Sequence, residues 1–154
     1  MYLISSCLCG INCKYSGSNN LNEKCLKLLK EGKAILVCPE QLGGLSTPRT
    51  PAEIKGTAKG VINENDKVIT KDGIDVTEKF LKGAIEVLHI AKLSNIKTAI
   101  LKEGSPSCGV NYIYDGSFTG KKISGKGVTT SILKENGIDV ISEIDFGGEE
   151  LEDF

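Results

Sequence analysis

The sequence predicts an α/β fold, a Rossmann-like three-layer α/β/α sandwich built on a mainly parallel sheet, and three observations carry that expectation. Apolar runs of four or five residues recur along the chain, each bounded by polar residues or glycine, as strands buried on both faces require. Amphipathic helical patterns alternate with these runs, which is the order of a parallel sheet with helices on its faces. Three segments rich in Gly, Pro and Cys follow an apolar run directly, where the ligand crevice of an open parallel sheet lies.

The elements follow in order. YLIS at 2–5 is the first strand. NNLNEKCLKLLKEG supplies an amphipathic helix with Asn20 as N-cap, Glu23 three residues on, an apolar stripe at Leu21, Cys25, Leu28 and Leu29, and Gly32 as terminator. AILV at 34–37 is the second strand, and VINENDKVIT at 61–70 reads as an inserted hairpin. DVTEKFLKGAIEVLHIAKLS is the longest helix, with a cap pair at Asp75 and Glu78 and Phe80, Leu81, Ala84, Val87, Leu88 and Ala91 on one face. TAIL at 98–101 is a strand, Val128 to Asn136 a helix ended by Gly137, and IDVIS at 138–142 the closing strand. The 154 residues suit one domain, 1–154, with an acidic tail over about 147–154.

With 19 Lys plus Arg against 20 Asp plus Glu, the net charge of −1 gives no global basic field for nucleic acid or an anionic membrane. No stretch approaches the ~18 apolar residues of a spanning helix, so a cytoplasmic protein is expected. Six cysteines without a secretory signal then point to metal binding or catalysis rather than disulfides. The cluster SSCLCGINC has C-x-C-x-x-x-C spacing, which differs from zinc and ferredoxin patterns. Cys25 belongs to a helix stripe, and Cys9 and Cys13 suit packing. Cys7, Cys38 and Cys108 each follow the end of a strand; three soft thiolates from separate loops suit an iron-sulfur cluster with one open iron better than a closed zinc site, with unligated loop cysteines as the alternative.

Other signals weigh less. The single histidine, His89, falls on the polar face of its helix, which removes Cys-His nucleophilic schemes. GKKISGK at 120–126 nearly spells a phosphate loop, but Gly127 replaces the required hydroxyl residue, so it reads as a helix entry whose Lys121, Lys122 and Lys126 face an anion at most. Pro39 stiffens the turn after Cys38, Glu40 sits two residues from that thiol, Ser105 and Ser107 bracket Pro106 before Cys108, and Arg49 and Glu53 read as an ion pair.

The pieces SSCLCGINCKYSG, CPEQLGGLSTPRTPAEI, GIDVTEKFLKGA, ILKEGSPSCG, IYDGSFTGKKISGKGVT and GIDVISE together resemble the former domain-of-unknown-function family 523, whose characterised members are thiouracil desulfidases. They cover nearly the whole chain in order. The resemblance implies a 4Fe-4S cluster held by three cysteines, falling on Cys7, Cys38 and Cys108, and acid/base groups on Glu40 and Ser105. Ser107, Tyr15 and Arg49 are the matching candidates for substrate binding. The implied activity is hydrolytic desulfuration of a small thiolated base or nucleoside such as thiouracil. Alternatives are an iron-sulfur sensor and a tRNA-directed sulfur enzyme. Ser6, Cys9, Ser16 and Gly104 depart from the family's usual residues, and Ser16 and Gly104 are expected to line the pocket.

Overall fold

Four apolar runs form one sheet: β1 (Tyr2–Ser5), β2 (Ala34–Val37), β5 (Thr98–Leu101) and β8 (Asp139–Ser142), ordered β2-β1-β5-β8 with every pair parallel. The computed structural model describes residues 1–148, so the acidic tail lies outside the described residues from 149 on. Alternate strand residues point to opposite faces and bury two layers. Leu3, Ala99, Leu101 and Val140 pack with Val87, Ala91 and Leu133 from α4 (Thr77–Leu93) and α5 (Val128–Glu135). Ile4 and Ile100 pack on the other face with Cys25 and Leu28 of α1 (Glu23–Lys30) and Phe146 of α6 (Glu143–Gly148). The expected parallel α/β fold with helices on both faces is therefore present.

Local details differ from the sequence expectation, each for a physical reason. The cap of α1 is Asn22, whose side chain accepts from the amides of Lys24 and Cys25, not Asn20; Leu21 is accordingly exposed. The hairpin at 61–70 pairs further upstream: β3 (Ala52–Lys55) runs antiparallel to β4 (Lys67–Thr70), with the short α3 (Ala58–Ile62) between them. Val61 and Ile62 thus close a helix, because Thr57 caps it at the Gly60 amide. GKKISGK is not a helix entry: Lys122–Ser124 is β7, antiparallel to β6 (Tyr112–Tyr114), and Lys122 lies over the Tyr112 ring at 4.6 Å. CPEQL forms a four-residue helix, α2 (Pro39–Leu42), with Pro39 at its first turn.

Helix α2 sits very close to α4. A Cβ at Gly83 would lie 1.9 Å from the Pro39 carbonyl oxygen, and one at Gly43 2.0 Å from that of Lys79. Two glycines facing each other's helix let the backbones touch, and this fixes the element that carries Glu40.

Candidate active site

In sheet order the chain leaves β1 toward β2 on one side and later enters β5 on the other, so the topology switches between β1 and β5. A crevice opens outside the carboxyl ends of strands at such a point. A cavity of about 550 Å³ lies there, and Cys7, Cys13, Cys38 and Cys108 all line it. Cys38 and Cys7 stand one and two residues after β2 and β1, and Cys108 seven residues after β5, on loops from three adjacent strands that open on this cavity. Ser5 Oγ ties the two sides of the switch by accepting from the Lys102 amide at 3.0 Å.

Cys7 is the second residue of a 3-10 turn over Ser6–Cys9 that ends at Gly10 in the left-handed region, φ 90°. Asn20, released from capping, donates from Nδ2 to Cys7 Sγ at 3.5 Å. Cys13 lines the cavity beside Cys7 and Cys38, and its carbonyl accepts from Cys38 Sγ at 3.8 Å. The neighbouring thiols and burial push the Cys13 pKa well up, and the nearness of its thiol lowers that of Cys7 and of Cys38. Cys7 is brought down to about 7, with Cys13 as the main cause and Asn20 adding to it against the opposing effect of burial. Cys108, 3% exposed, is instead pushed well up by burial and by the nearby Glu40 charge. Cys9 is buried and raised to about 11, and Cys25 to about 12, both chiefly by burial, as packing thiols are.

Glu40 faces the thiols from the first turn of α2. Its Oε1 accepts from Ser107 Oγ and, at 3.5 Å, from Ser105 Oγ. Its Oε2 lies 3.5 Å from Cys38 Sγ and 3.7 Å from Arg49 Nη2. Arg49 also donates to the Cys13 carbonyl at 2.9 Å, so one guanidinium bridges the carboxylate and the Cys13 segment. The expected Arg49–Glu53 pair does not form: Glu53 Oε1 instead accepts from the Gly116 and Phe118 amides, holding the β6–β7 turn. Ser107 is fully buried and braces Glu40, while Ser105 lines the cavity. Tyr15, 49% exposed, stands at the cavity mouth. Gly104 lines the cavity as expected; Ser16 is exposed and hydrogen-bonds to Ser18 instead. His89 is on the surface, 3.7 Å from Glu86.

The loop bearing Ser105 and Cys108 is gripped by α5. The Val128 amide donates to the Pro106 carbonyl at 2.9 Å, and the Thr129 and Thr130 amides to that of Ser107 at 2.9 and 3.3 Å, so first-turn amides left free by the helix find partners in the loop. Asn20, Cys13, Ser5 and Glu103 are the site residues that sequence reasoning missed. For Ser5 and Cys13 a signal existed in their nearness to Cys7; for Asn20 and Glu103 none did.

Among the described residues no three Cys, His, Asp or Glu side chains gather round one point as a single ion requires. Thiols spread round a cavity suit a multi-iron cluster, in which each thiolate binds its own iron. No helix of the described residues is long and apolar enough to cross a membrane.

The chain matches the model of the 2-thiouracil desulfurase family over residues 2–145. An uncharacterised protein of Bacillus subtilis (strain 168), YbbK, is 54% identical over 144 residues, covering 93% of this chain and 95% of its own. Among solved structures, the 4Fe-4S-dependent thiouracil desulfidase TudS (DUF523Vcz) is similar with a TM-score of 0.85 and 40% identity, over 95% of this chain and 92% of that one.

Proposed function

This chain belongs to the 2-thiouracil desulfurase family, and on that premise we propose that it removes sulfur from a thiolated pyrimidine such as thiouracil by hydrolysis, in the cytoplasm. The reaction balances without electron transfer: the thiocarbonyl and water give the carbonyl and hydrogen sulfide. The observation that carries the reading is the Glu40 carboxylate, braced by two serine hydroxyls and Arg49, facing Cys7, Cys38 and Cys108 across one cavity.

The relation to TudS supports a 4Fe-4S cluster, which Cys7, Cys38 and Cys108 would hold with one iron left without a protein ligand. When bound, the cluster supplies a soft Lewis acid for the thiocarbonyl sulfur. The chain's own groups do the rest. Two serine hydroxyls hold Glu40 Oε1, while Oε2 has the Cys38 thiol at 3.5 Å and Arg49 at 3.7 Å on the side of the cysteines, and Oε2 is the atom that takes a proton from the attacking water. Ser105 Oγ, on the cavity wall, hydrogen-bonds the ring or passes a proton to it. Arg49, its Nη atoms engaged by Glu40, Thr47 and the Cys13 and Ser46 carbonyls, presents its positive charge to the bound base from the cavity wall, and Tyr15 bounds the entrance. Ser107 acts through Glu40.

The test is anaerobic reconstitution followed by incubation with 2-thiouracil, 4-thiouracil and their nucleosides, with sulfide and the carbonyl product measured. Glu40→Gln should keep the cluster absorbance and lower kcat by ~10² to 10⁴-fold, the usual worth of a general base. Cys7→Ser, Cys38→Ser and Cys108→Ser should each lose the absorbance, and Cys25→Ser should retain it. A wild-type cluster-loaded protein that releases no sulfide from any of these thio-bases sinks the reading.

A further inference from the structure

Resting on the desulfidase reading, we infer that Glu103 is a positioning residue: its buried carboxylate closes the segment 103–112 and thereby sets Ser105, Ser107 and Cys108 against Glu40. The side chain leaves the chain two residues after β5 and is 3% exposed. Its Oε1 accepts from three successive amides, Val110 at 2.7 Å, Asn111 at 2.8 Å and Tyr112 at 3.2 Å. Its Oε2 accepts from Asn111 Nδ2 at 2.8 Å. The Glu103 amide in turn donates to the Glu143 carboxylate, at 2.9 and 3.1 Å to the two oxygens. One residue therefore ties the start of the segment to its end and to α6.

What lies between the tied ends is the working part of the site. Ser105, Ser107 and Cys108 fall inside the closed segment, and it is the hydroxyls of the two serines that brace Glu40 Oε1. The far side of the same segment is held by the α5 amides, so the loop is fixed between a carboxylate at its ends and a helix terminus at its middle. A buried charge is expensive unless donors surround it. Here burial pushes the Glu103 pKa up, yet the amides of Asn111, Val110 and Tyr112 and the Asn111 side chain outweigh it and hold the group ionised. An apolar residue would fill the space without gathering three amides, which is why the arrangement points to loop shape rather than to packing.

The chemistry of the partners makes the role testable. All four are donors, so Glu103→Gln must turn its NH₂ either toward the amides or toward Asn111 Nδ2. Flipping the Asn111 amide offers no escape, because Nδ2 also donates to Asp145 Oδ2 at 3.1 Å. Glu103→Asp keeps both acceptors on a shorter stem. Both variants and wild type are reconstituted anaerobically, alongside Thr57→Ala, a cap variant away from the cavity that controls for simple loss of stability. Hydrogen exchange of the segment 104–112, cluster loss under a chelator, and kcat and KM are measured.

For Glu103→Gln the expected results are faster exchange confined to 104–112, cluster loss accelerated by about 10- to 100-fold, and kcat lowered by a like factor with KM moved far less. Glu103→Asp should recover much of each, and Thr57→Ala should alter none. Unchanged exchange and cluster retention in Glu103→Gln overturn the inference, as does a loosened loop with wild-type kcat. If wild type itself releases no sulfide, the functional reading has failed, and exchange with cluster retention still decides the role of Glu103.

Discussion

The loops after β1 and β5 do the same task, presenting a cysteine at the rim of one cavity, and they are built in opposite ways. The β5 loop is clamped from two sides by protein: a buried carboxylate gathers its amides, and the first turn of α5 takes its carbonyls. The β1 loop is held by its own 3-10 turn, the left-handed Gly10 and the bond from the Asn20 amide to the Cys7 carbonyl at 3.0 Å, and from outside by Arg49, which donates to the Cys13 and Tyr15 carbonyls, with Ile11, Asn12 and Tyr15 exposed around it. The thiols register the contrast. Cys108 is sealed and keeps its proton, whereas Cys7, bonded by Cys13 and Asn20, ionises near neutrality. One loop is a wall clamped by a carboxylate and a helix terminus, and the other carries the buried thiol with the lowered pKa.

The most severe way to break this contrast is to crowd the fixed wall. A Cβ at Gly127 would stand 2.4 Å from the Ser107 carbonyl carbon and oxygen and 2.7 Å from the Cys108 nitrogen, all backbone atoms that must shift. Gly127→Ala should destabilise by ~1–3 kcal/mol in a denaturant titration and lower the iron bound on reconstitution. At Gly10 the nearest atom to an added Cβ is Leu21 Cδ1 at 3.6 Å, so Gly10→Ala should cost only the left-handed backbone conformation, ~1–2 kcal/mol, and keep more of the iron. Equal iron loss in the two variants would mean that the two loops are held alike.

A milder test reads the thiols directly. In cluster-free, reduced protein, iodoacetamide should modify Cys7 and Cys38 ahead of Cys108, Cys7 at a rate that climbs as pH rises through about 7 and then levels off. Cys108 should stay slow until well above pH 9, because raising its pKa keeps the unreactive thiol form. Mass mapping after timed quenching gives both profiles. The smallest effect belongs to Asn20→Ala: losing its N–H should move the Cys7 profile modestly to higher pH and leave that of Cys108 where it was. Equal alkylation of Cys7 and Cys108 at neutral pH would erase the distinction drawn between the loops.

Much of this was legible in the chain. The four parallel strands and the long helix were readable because strands buried on both faces and helices with one apolar face leave simple periods. The approach of Cys7, Cys38 and Cys108 to one cavity followed from their places after strands. What misled is equally specific. Asn20 and Asn22 are both good caps, and only the folded chain shows Asn22 taken by α1 and Asn20 by a thiol. Glu53 and Arg49 are close in sequence, yet each found a partner on another segment.

The sequence by itself determined the fold class, the helices with strong apolar faces and which thiols end strands, since those depend on local periodicity and on chain direction. Only the tertiary structure decided that the strand order reverses between β1 and β5, that Cys13 lines the cavity while Cys25 does not, and that Glu103 gathers the amides of residues 110–112 behind the loop of Ser105 and Cys108. Those depend on which strands become neighbours and on how two glycines let α2 and α4 touch. The strand order and the α2–α4 contact are set by packing between segments distant along the chain, and the Glu103 bonds, though local in sequence, need the turn that only the packed loop adopts.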